Sequence, residues 1–296
     1  MLQSFSDAVA KLAEGVSQSV VGVDAGRRGG SGVVWSKDGL ILTASHVVGR
    51  SSDPVVLLAD GRRVSSKVVG RDEYSDVALL KVEAGELRAV ERAPAEGLRT
   101  GQFVLALARA FGPEAAVTSG VVTSPARSVR GWWGSAIEDA VVTDAKLNPG
   151  YSGGPLVDAS GRMVGMNVAH FAGRGLAVPI GSLEDVAAKI SKYGKVKSGF
   201  LGVVVEPLEL PEKFAKGQEV GQRSGLLVRE VEEGSPAKSA GVAIGDVLLR
   251  LGEAQATDEY ELHKALSEGG IGRPASLWIL RSEKLVELKV TPEERE

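Results

Sequence analysis

A serine sits between glycines in the stretch Asn148-Pro149-Gly150-Tyr151-Ser152-Gly153-Gly154-Pro155. Glycine has no Cβ, so a chain can turn tightly around such a serine and its neighbours can approach closely. A turn of this kind presents the Ser152 hydroxyl and aims main-chain N–H groups at one spot, where a developing oxyanion needs donors. The candidate donors are the amides of Gly150 and Ser152, with that of Tyr151 between them. Taken alone, the same residues also describe an ordinary glycine-rich β-turn. A hydroxyl is a weak nucleophile and needs a base. The chain has three histidines, His46, His170 and His263. His46 ends the apolar run Ile41-Leu42-Thr43-Ala44-Ser45, at a scaffold edge rigid enough to position a base. His170 follows an apolar run and precedes a glycine loop, and reads as an incidental loop residue. His263 falls on a helix of the C-terminal region, either solvated or facing a peptide. A third group must fix the imidazole tautomer and stabilise its cation. Asp76 directly precedes Val77-Ala78-Leu79-Leu80, which reads as a buried strand, and a carboxylate entering such a strand is costly without a partner. Asp72 and Glu73 are the alternatives, in a turn of exposed character.

Three distant side chains need a rigid frame to meet. Past Val20, short runs rich in Val, Ile and Leu alternate with turn signals such as Lys37-Asp38-Gly39, Ala59-Asp60-Gly61 and Ala159-Ser160-Gly161. Strands are expected over 19–23, 31–35, 40–44, 55–58, 64–69, 77–82, 103–108, 117–124, 140–143, 155–158, 162–168 and 176–178. A run of about a dozen short strands without intervening helices reads as barrel or sandwich, with length for two barrels. The 38 glycines fit a chain dense in turns. An amphipathic helix is expected over 6–16, with Val9, Leu12, Ala13 and Val16 on one face. Another is expected over 182–193, capped by Ser182 and stopped at Gly194, closing a first domain of residues 1–194. The polar stretch 192–198 reads as a hinge. A second domain, residues 199–293, is expected to carry strands over 200–205, 226–231, 247–251, 275–280 and 285–290. Ser235-Pro236 opens a short helix ended by Gly241. A further helix over 257–267 has Leu262, Ala265 and Leu266 on one face, and together these elements make a small α+β domain.

Composition narrows the chemistry. The chain has 296 residues, 43% hydrophobic and 25% charged, with a formal net charge of −3. It carries no long Lys/Arg block, so neither nucleic acid nor an anionic membrane surface is an expected partner. The absence of cysteine excludes thiol catalysis, disulfides and Cys-based zinc sites. The histidines do not form an H-E-x-x-H pair, so a metalloprotease is a poor reading. Gly29-Gly30-Ser31-Gly32 is followed by no G-K-[ST] and is not a phosphate loop. No apolar run reaches the roughly 18 residues that a membrane helix needs. The first twenty residues lack a basic start and an unbroken apolar stretch, and do not read as a secretory signal.

The order His46, Asp76, Ser152, set within TASH, SDVALLKV and GYSGGPLVD, resembles the HtrA (Deg-type) serine proteases. The resemblance covers nearly the whole chain and includes GGSGVVWSKDGLILTASHVV, VTSGVVTSPARS, TDAKLNPGYSGGPL, GRMVGMNV and GLAVPI in the family's order. It implies a mainly β chain, with a chymotrypsin-like double β-barrel followed by a PDZ domain. It also implies that His46, Asp76 and Ser152 are the catalytic triad, beside a main-chain oxyanion hole at Gly150, Tyr151 and Ser152. Gly199-Phe200-Leu201-Gly202-Val203 is similar to a PDZ carboxylate-binding loop, and Gly234-Ser235-Pro236-Ala237 and Ile244-Gly245-Asp246-Val247-Leu248 follow the PDZ pattern. The amides of Leu201, Gly202 and Val203 would then hold a peptide's C-terminus, with the peptide laid as a strand against the helix bearing Leu262 and Leu266. The implied activity is endopeptidase cleavage of unfolded or damaged proteins in stress response and quality control, after small to medium aliphatic residues. It calls for no metal or cofactor. The resemblance further implies a homotrimer built partly through the N-terminal segment, and a site in the periplasm or cell envelope. Tyr151 departs from the family's usual Asn, and its ring is expected to alter the oxyanion loop or hold it at rest. The rival reading is therefore a protease-like peptide-binding scaffold or chaperone. Ala108-Arg109-Ala110-Phe111-Gly112 replaces a glycine-asparagine-proline stretch, so that loop is expected to differ. The segment from Val23 to Gly29 is too short for a long regulatory loop. Residues 124–138, with Arg127, Arg130, Trp132 and Trp133, read as a sensor loop.

Overall fold

The computed structural model describes residues 2–26, 29–94, 97–110, 112–130, 136–171, 174–194, 199–215, 221–268 and 271–294. The chain divides into two compact units, Met1–Val196 and Lys197–Glu296. The first opens with α1 (Leu2–Ser17). Its apolar stripe packs as the periodicity predicts: Val16 is buried, and Val9, Leu12 and Ala13 lie partly buried against the core. Leu2 and Phe5 stay exposed.

A closed barrel follows, made of β1 (Val20–Asp24), β2 (Gly29–Ser36), β3 (Leu40–Ala44), β4 (Val55–Leu57), β5 (Arg63–Asp72) and β6 (Val77–Val82), with the short α2 (Ser45–Val48) after β3. A second closed barrel is built from β7 (Phe103–Ala108), β8 (Ala116–Arg130), β9 (Ala136–Thr143), β10 (Pro155–Asp158), β11 (Met163–Phe171) and β12 (Arg174–Pro179). Ile41, Leu42, Leu79 and Leu80 fill the first barrel, and Leu105, Leu107, Leu156 and Met166 are equally inaccessible in the second. The part of the expected sensor loop up to Arg130 is strand, paired with β9 through several register shifts. Trp132 and Trp133, and the side chains of Arg127 and Arg130, lie outside the described residues.

The helix α3 (Ile180–Tyr193) ends the first unit. It begins at Ile180, so Ser182 lies inside it and Pro179 stands at the N-cap without a side-chain bond. Ile180 and Leu183 are buried, and packing that face draws the first turn into the helix against capping preference. Gly194 ends it in the left-handed region (φ 73°), its amide bonded to the Ile190 carbonyl at 2.7 Å.

The second unit contains β13 (Gly199–Phe200), β14 (Val203–Glu209), α4 (Glu212–Ala215), β15 (Ser224–Val231), α5 (Pro236–Ser239), β16 (Val247–Leu251), β17 (Ala254–Gln255), α6 (Glu259–Glu268), β18 (Ala275–Arg281), β19 (Lys284–Val290) and β20 (Glu293–Glu294). Its main sheet runs β14-β15-β16-β18-β19, with β17 on β16, while β13 pairs with β20. The single strand expected over 200–205 is therefore two. The chain breaks at Leu201-Gly202, where Gly202 has φ 75°. The cap of α6 is Asp258 rather than Thr257: its carboxylate accepts the Glu261 amide at 3.0 Å. Leu226, Leu248, Leu277 and Ile279 form a core separate from the barrels. Asp246, 2% exposed, takes both arms of the Arg281 guanidinium at 2.7 Å.

Candidate active site

The strands β3 and β6 pair antiparallel, and Ala44 opposite Val77 is the end of their register. The residues just beyond that pair, Ser45-His46 after β3 and Asp76 before β6, must therefore meet. They do so through three bonds. The Ser45 amide donates to the Asp76 carbonyl at 3.0 Å. The His46 amide donates to Asp76 Oδ1 at 2.9 Å, and His46 Nδ1 lies 2.6 Å from Asp76 Oδ2. An ionised carboxylate only accepts, so Nδ1 carries the proton and Nε2 keeps its lone pair. Asp76 reaches this pose with φ 56°. Such a left-handed non-glycine residue costs of order 1 kcal/mol and persists where the surroundings over-determine it. The two alternatives have other work. Asp72 accepts the Ser75 hydroxyl at 2.5 Å and shapes the turn before Asp76, while the exposed Glu73 faces Arg71 at 3.9 Å.

The serine turn is built by glycine and proline. The Tyr151 amide donates to the Asn148 carbonyl at 3.1 Å, and Gly150 has φ 94°. Proline followed by a positive-φ glycine, closed by that bond, is a type II turn. The Tyr151 amide is thus spent on closing the turn, which corrects its expected place among the oxyanion donors. The amides of Gly150 and Ser152 donate to no backbone acceptor among the described residues. The Ser152 hydroxyl donates to the Val168 carbonyl at 2.8 Å. Gly153 has φ 86°, and a Cβ there would stand 2.0 Å from the Ser31 carbonyl oxygen. A Cβ on Gly30 would stand 2.7 Å from Val47 and 2.9 Å from the Ser152 carbonyl oxygen. The serine turn of the second barrel is thereby held close to the residue following His46.

Tyr151 is only 4% exposed, and its ring packs among Val104, Leu156 and Ala177 in the second barrel. Burial pushes its phenol pKa up, and the neighbouring Thr118 hydroxyl partly offsets this. Three residues to which the sequence assigned no part in the site also meet here. Ser31 is fully buried; its amide donates to the Ser152 carbonyl at 2.9 Å and its hydroxyl to the Gly150 carbonyl at 2.7 Å. Thr43 donates to the Ser31 carbonyl at 2.7 Å, and the Arg109 amide donates to Ser31 Oγ at 2.8 Å. The Arg109 guanidinium is itself buried, giving bonds of 2.8 Å to the carbonyls of Val20 and Ser17. Burial lowers its pKa. The available signal was an isolated charge directly after the apolar run that forms β7. His170 lies on β11 opposite Gly175, with its side chain outside the described residues, and His263 lies half-buried on α6.

In the second unit, the carbonyls of Leu201 and Gly202 face inward, accepting the amides of Ala237 and Glu232 at 2.9 Å. Their own amides donate to no backbone acceptor among the described residues. Val203 is half-buried on β14, whose described partner is β15 alone. Leu201, Leu262 and Leu266 are buried in the core of this unit.

Two barrels with a His–Asp pair and a serine turn between them, then a separate sheet domain with an open loop, describe a trypsin-like peptidase joined to a PDZ module. Residues 30–166 match the trypsin-like peptidase domain family, and residues 199–291 match the PDZ domain family. A probable periplasmic serine endoprotease, DegP-like, from Pseudomonas fulva is 36% identical over 267 residues, covering 88% of this chain and 55% of the relative. The putative serine protease HhoB of Synechocystis is 34% identical over 276 residues, covering 89% of this chain and 66% of the relative. Among solved structures, the HtrA-type protease AlgW with tripeptide superposes with a TM-score of 0.76 at 31% identity, over 97% of each chain. The serine endoprotease from Yersinia pestis gives 0.75 at 27% identity, over 97% of this chain and 98% of that one. The chain belongs to the HtrA-type serine protease family. It spans about half the length of the DegP-like relatives it matches.

Proposed function

We propose that this chain is a serine endopeptidase in which His46, Asp76 and Ser152 form the catalytic triad. The observation that carries this reading is the pair of bonds from one carboxylate to His46, which holds Nε2 as the proton acceptor. In the reaction the Ser152 proton turns from the Val168 carbonyl to Nε2 as Oγ attacks the peptide carbonyl. The Gly150 and Ser152 amides stabilise the tetrahedral oxyanion. The imidazolium returns its proton to the leaving amine, and water then splits the acyl-enzyme by the reverse proton path. The rival scaffold reading rests on Tyr151 distorting the turn. The ring instead packs into the barrel core, and among the described residues the Gly150 and Ser152 amides donate to no backbone acceptor.

The substrates on this reading are unfolded or damaged proteins, with peptide C-termini engaging Leu201, Gly202 and Val203 beside β14. The Leu201 and Gly202 amides and the edge of β14, which have no backbone partner among the described residues, support it, as do the peptides in the AlgW structures. The relatives' periplasmic names support a periplasmic or envelope site, and the family resemblance supports a homotrimer. Exposed Leu2 and Phe5 on α1 offer apolar contacts to a neighbouring copy. A solution mass of three times 30.8 kDa is expected. A fluorophosphonate should label Ser152 in the folded protein, and Ser152→Ala should abolish both labelling and casein cleavage while leaving the circular dichroism spectrum unchanged. Casein turnover retained in Ser152→Ala would remove the nucleophile assignment. Failure of the wild type to label, with peptide still bound, would favour the scaffold.

A further inference from the structure

We infer that Ser31 is a positioning residue for the oxyanion turn. This rests on the reading of Ser152 as nucleophile and adds a residue from the other barrel to its machinery. Ser31 lies on β2, far in sequence from Ser152, yet its amide and its hydroxyl both donate to the turn that carries it. Its amide holds the Ser152 carbonyl, its hydroxyl holds the Gly150 carbonyl, and its own carbonyl is held by Thr43. Thr43 belongs to β3, the strand that runs into His46. One buried residue thus ties the base-bearing strand to the nucleophile-bearing turn.

The hydroxyl does the directional part. The Gly150 amide sits on the peptide plane between Pro149 and Gly150. That plane pivots about the Gly150 Cα, and glycine resists rotation less than any other residue. Inverting it would convert the type II turn to type I, with negative φ at Gly150, and would point the amide away. The bond from Ser31 Oγ fixes the adjoining plane, between Gly150 and Tyr151, by its carbonyl. Ser31 Oγ is fixed in turn by the Arg109 amide, so it has one proton to give and gives it to Gly150. The Cβ clash that any larger residue would suffer at Gly153 shows how closely the Ser31 backbone is pressed on the turn.

Removing the hydroxyl frees the Gly150 plane without touching substrate. Because an oxyanion donor acts chiefly in the transition state, kcat should fall with KM little changed. The test compares Ser31→Ala, the volume-preserving Ser31→Cys and the hydroxyl-retaining Ser31→Thr in the full chain, by casein-peptide kinetics, fluorophosphonate labelling rate and Tm. Ser31→Ala and Ser31→Cys should each lower kcat and the labelling rate by about tenfold to a hundredfold. KM should stay within about twofold, and Ser31→Thr should recover most of the loss. The proposal is overturned if folded Ser31→Ala or Ser31→Cys labels at the wild-type rate, or if Ser31→Thr loses as much as they do. If wild-type Ser152 does not label at all, the hydrolase reading itself fails and this inference goes with it.

Discussion

Asp76 holds His46 by two separate acceptors of one carboxylate, and an asparagine there could keep the shape while reversing one polarity. Its amide would present a donor to Nδ1, so the imidazole would have to carry its proton on Nε2, the wrong nitrogen for taking one from Ser152. Asp76→Asn is therefore expected to keep its fold and lose roughly four orders of magnitude in kcat, read from peptide kinetics at pH 7. Tyr151 makes a different case. Its hydroxyl neighbours Thr118 and not the serine turn, so Tyr151→Phe should retain activity within about twofold. Tyr151→Ala leaves a cavity in the second barrel and should cost about 3 kcal/mol or more of stability by denaturant titration. At this scale the sequence singled out His46 at the end of an apolar run, Asp76 at the start of one and Ser152 among glycines, and the family resemblance joined them as a proposed triad. It did not show Ser31, Thr43 or Arg109. A hydroxyl within a strand, or a guanidinium just past one, looks alike whether it points to solvent or to a carbonyl on another strand, and only the folded register distinguishes the two.

Elements were most legible where alternation and turn signals agreed. The strands at 40–44, 77–82, 103–108 and 155–158 coincide with β3, β6, β7 and β10. Helix starts were less so: α3 begins at Ile180 because burying that side chain outweighs a serine cap two residues later. The PDZ-like opening hid a break inside an apolar run, and Gly202 is the residue that makes it. A Cβ at Gly202 would stand 2.2 Å from the Ser235 Cβ, on a backbone already at φ 75°. Gly202→Ala should therefore distort the loop and weaken binding of a C-terminal peptide at least tenfold by calorimetry, an expectation built on steric clash and on lost αL freedom.

The molecule as a whole is two compact units on one chain, and the helix stop at Gly194 with the polar stretch 192–198 marked the join in the sequence. The second unit has its own buried leucines and its own internal ion pair, so residues 197–296 are expected to fold alone with a cooperative thermal transition. Removing one member of that pair with Arg281→Met leaves Asp246 charged and buried, and should lower the stability of this unit by about 3 kcal/mol, measured by urea unfolding. The first unit carries a comparable obligation at its opposite end. Arg109 is a buried cation, and among the described residues its guanidinium leans on two carbonyl oxygens rather than on a carboxylate. One of those oxygens belongs to the last residue of α1. The leading helix is thus also a solvation shell, standing in for the water that Arg109 gave up. A protease that trimmed the chain back past Ser17 would strip that charge of half its cover, leaving the barrel to take in solvent or expel the side chain, and the disturbance would begin one hydrogen bond away from Ser31.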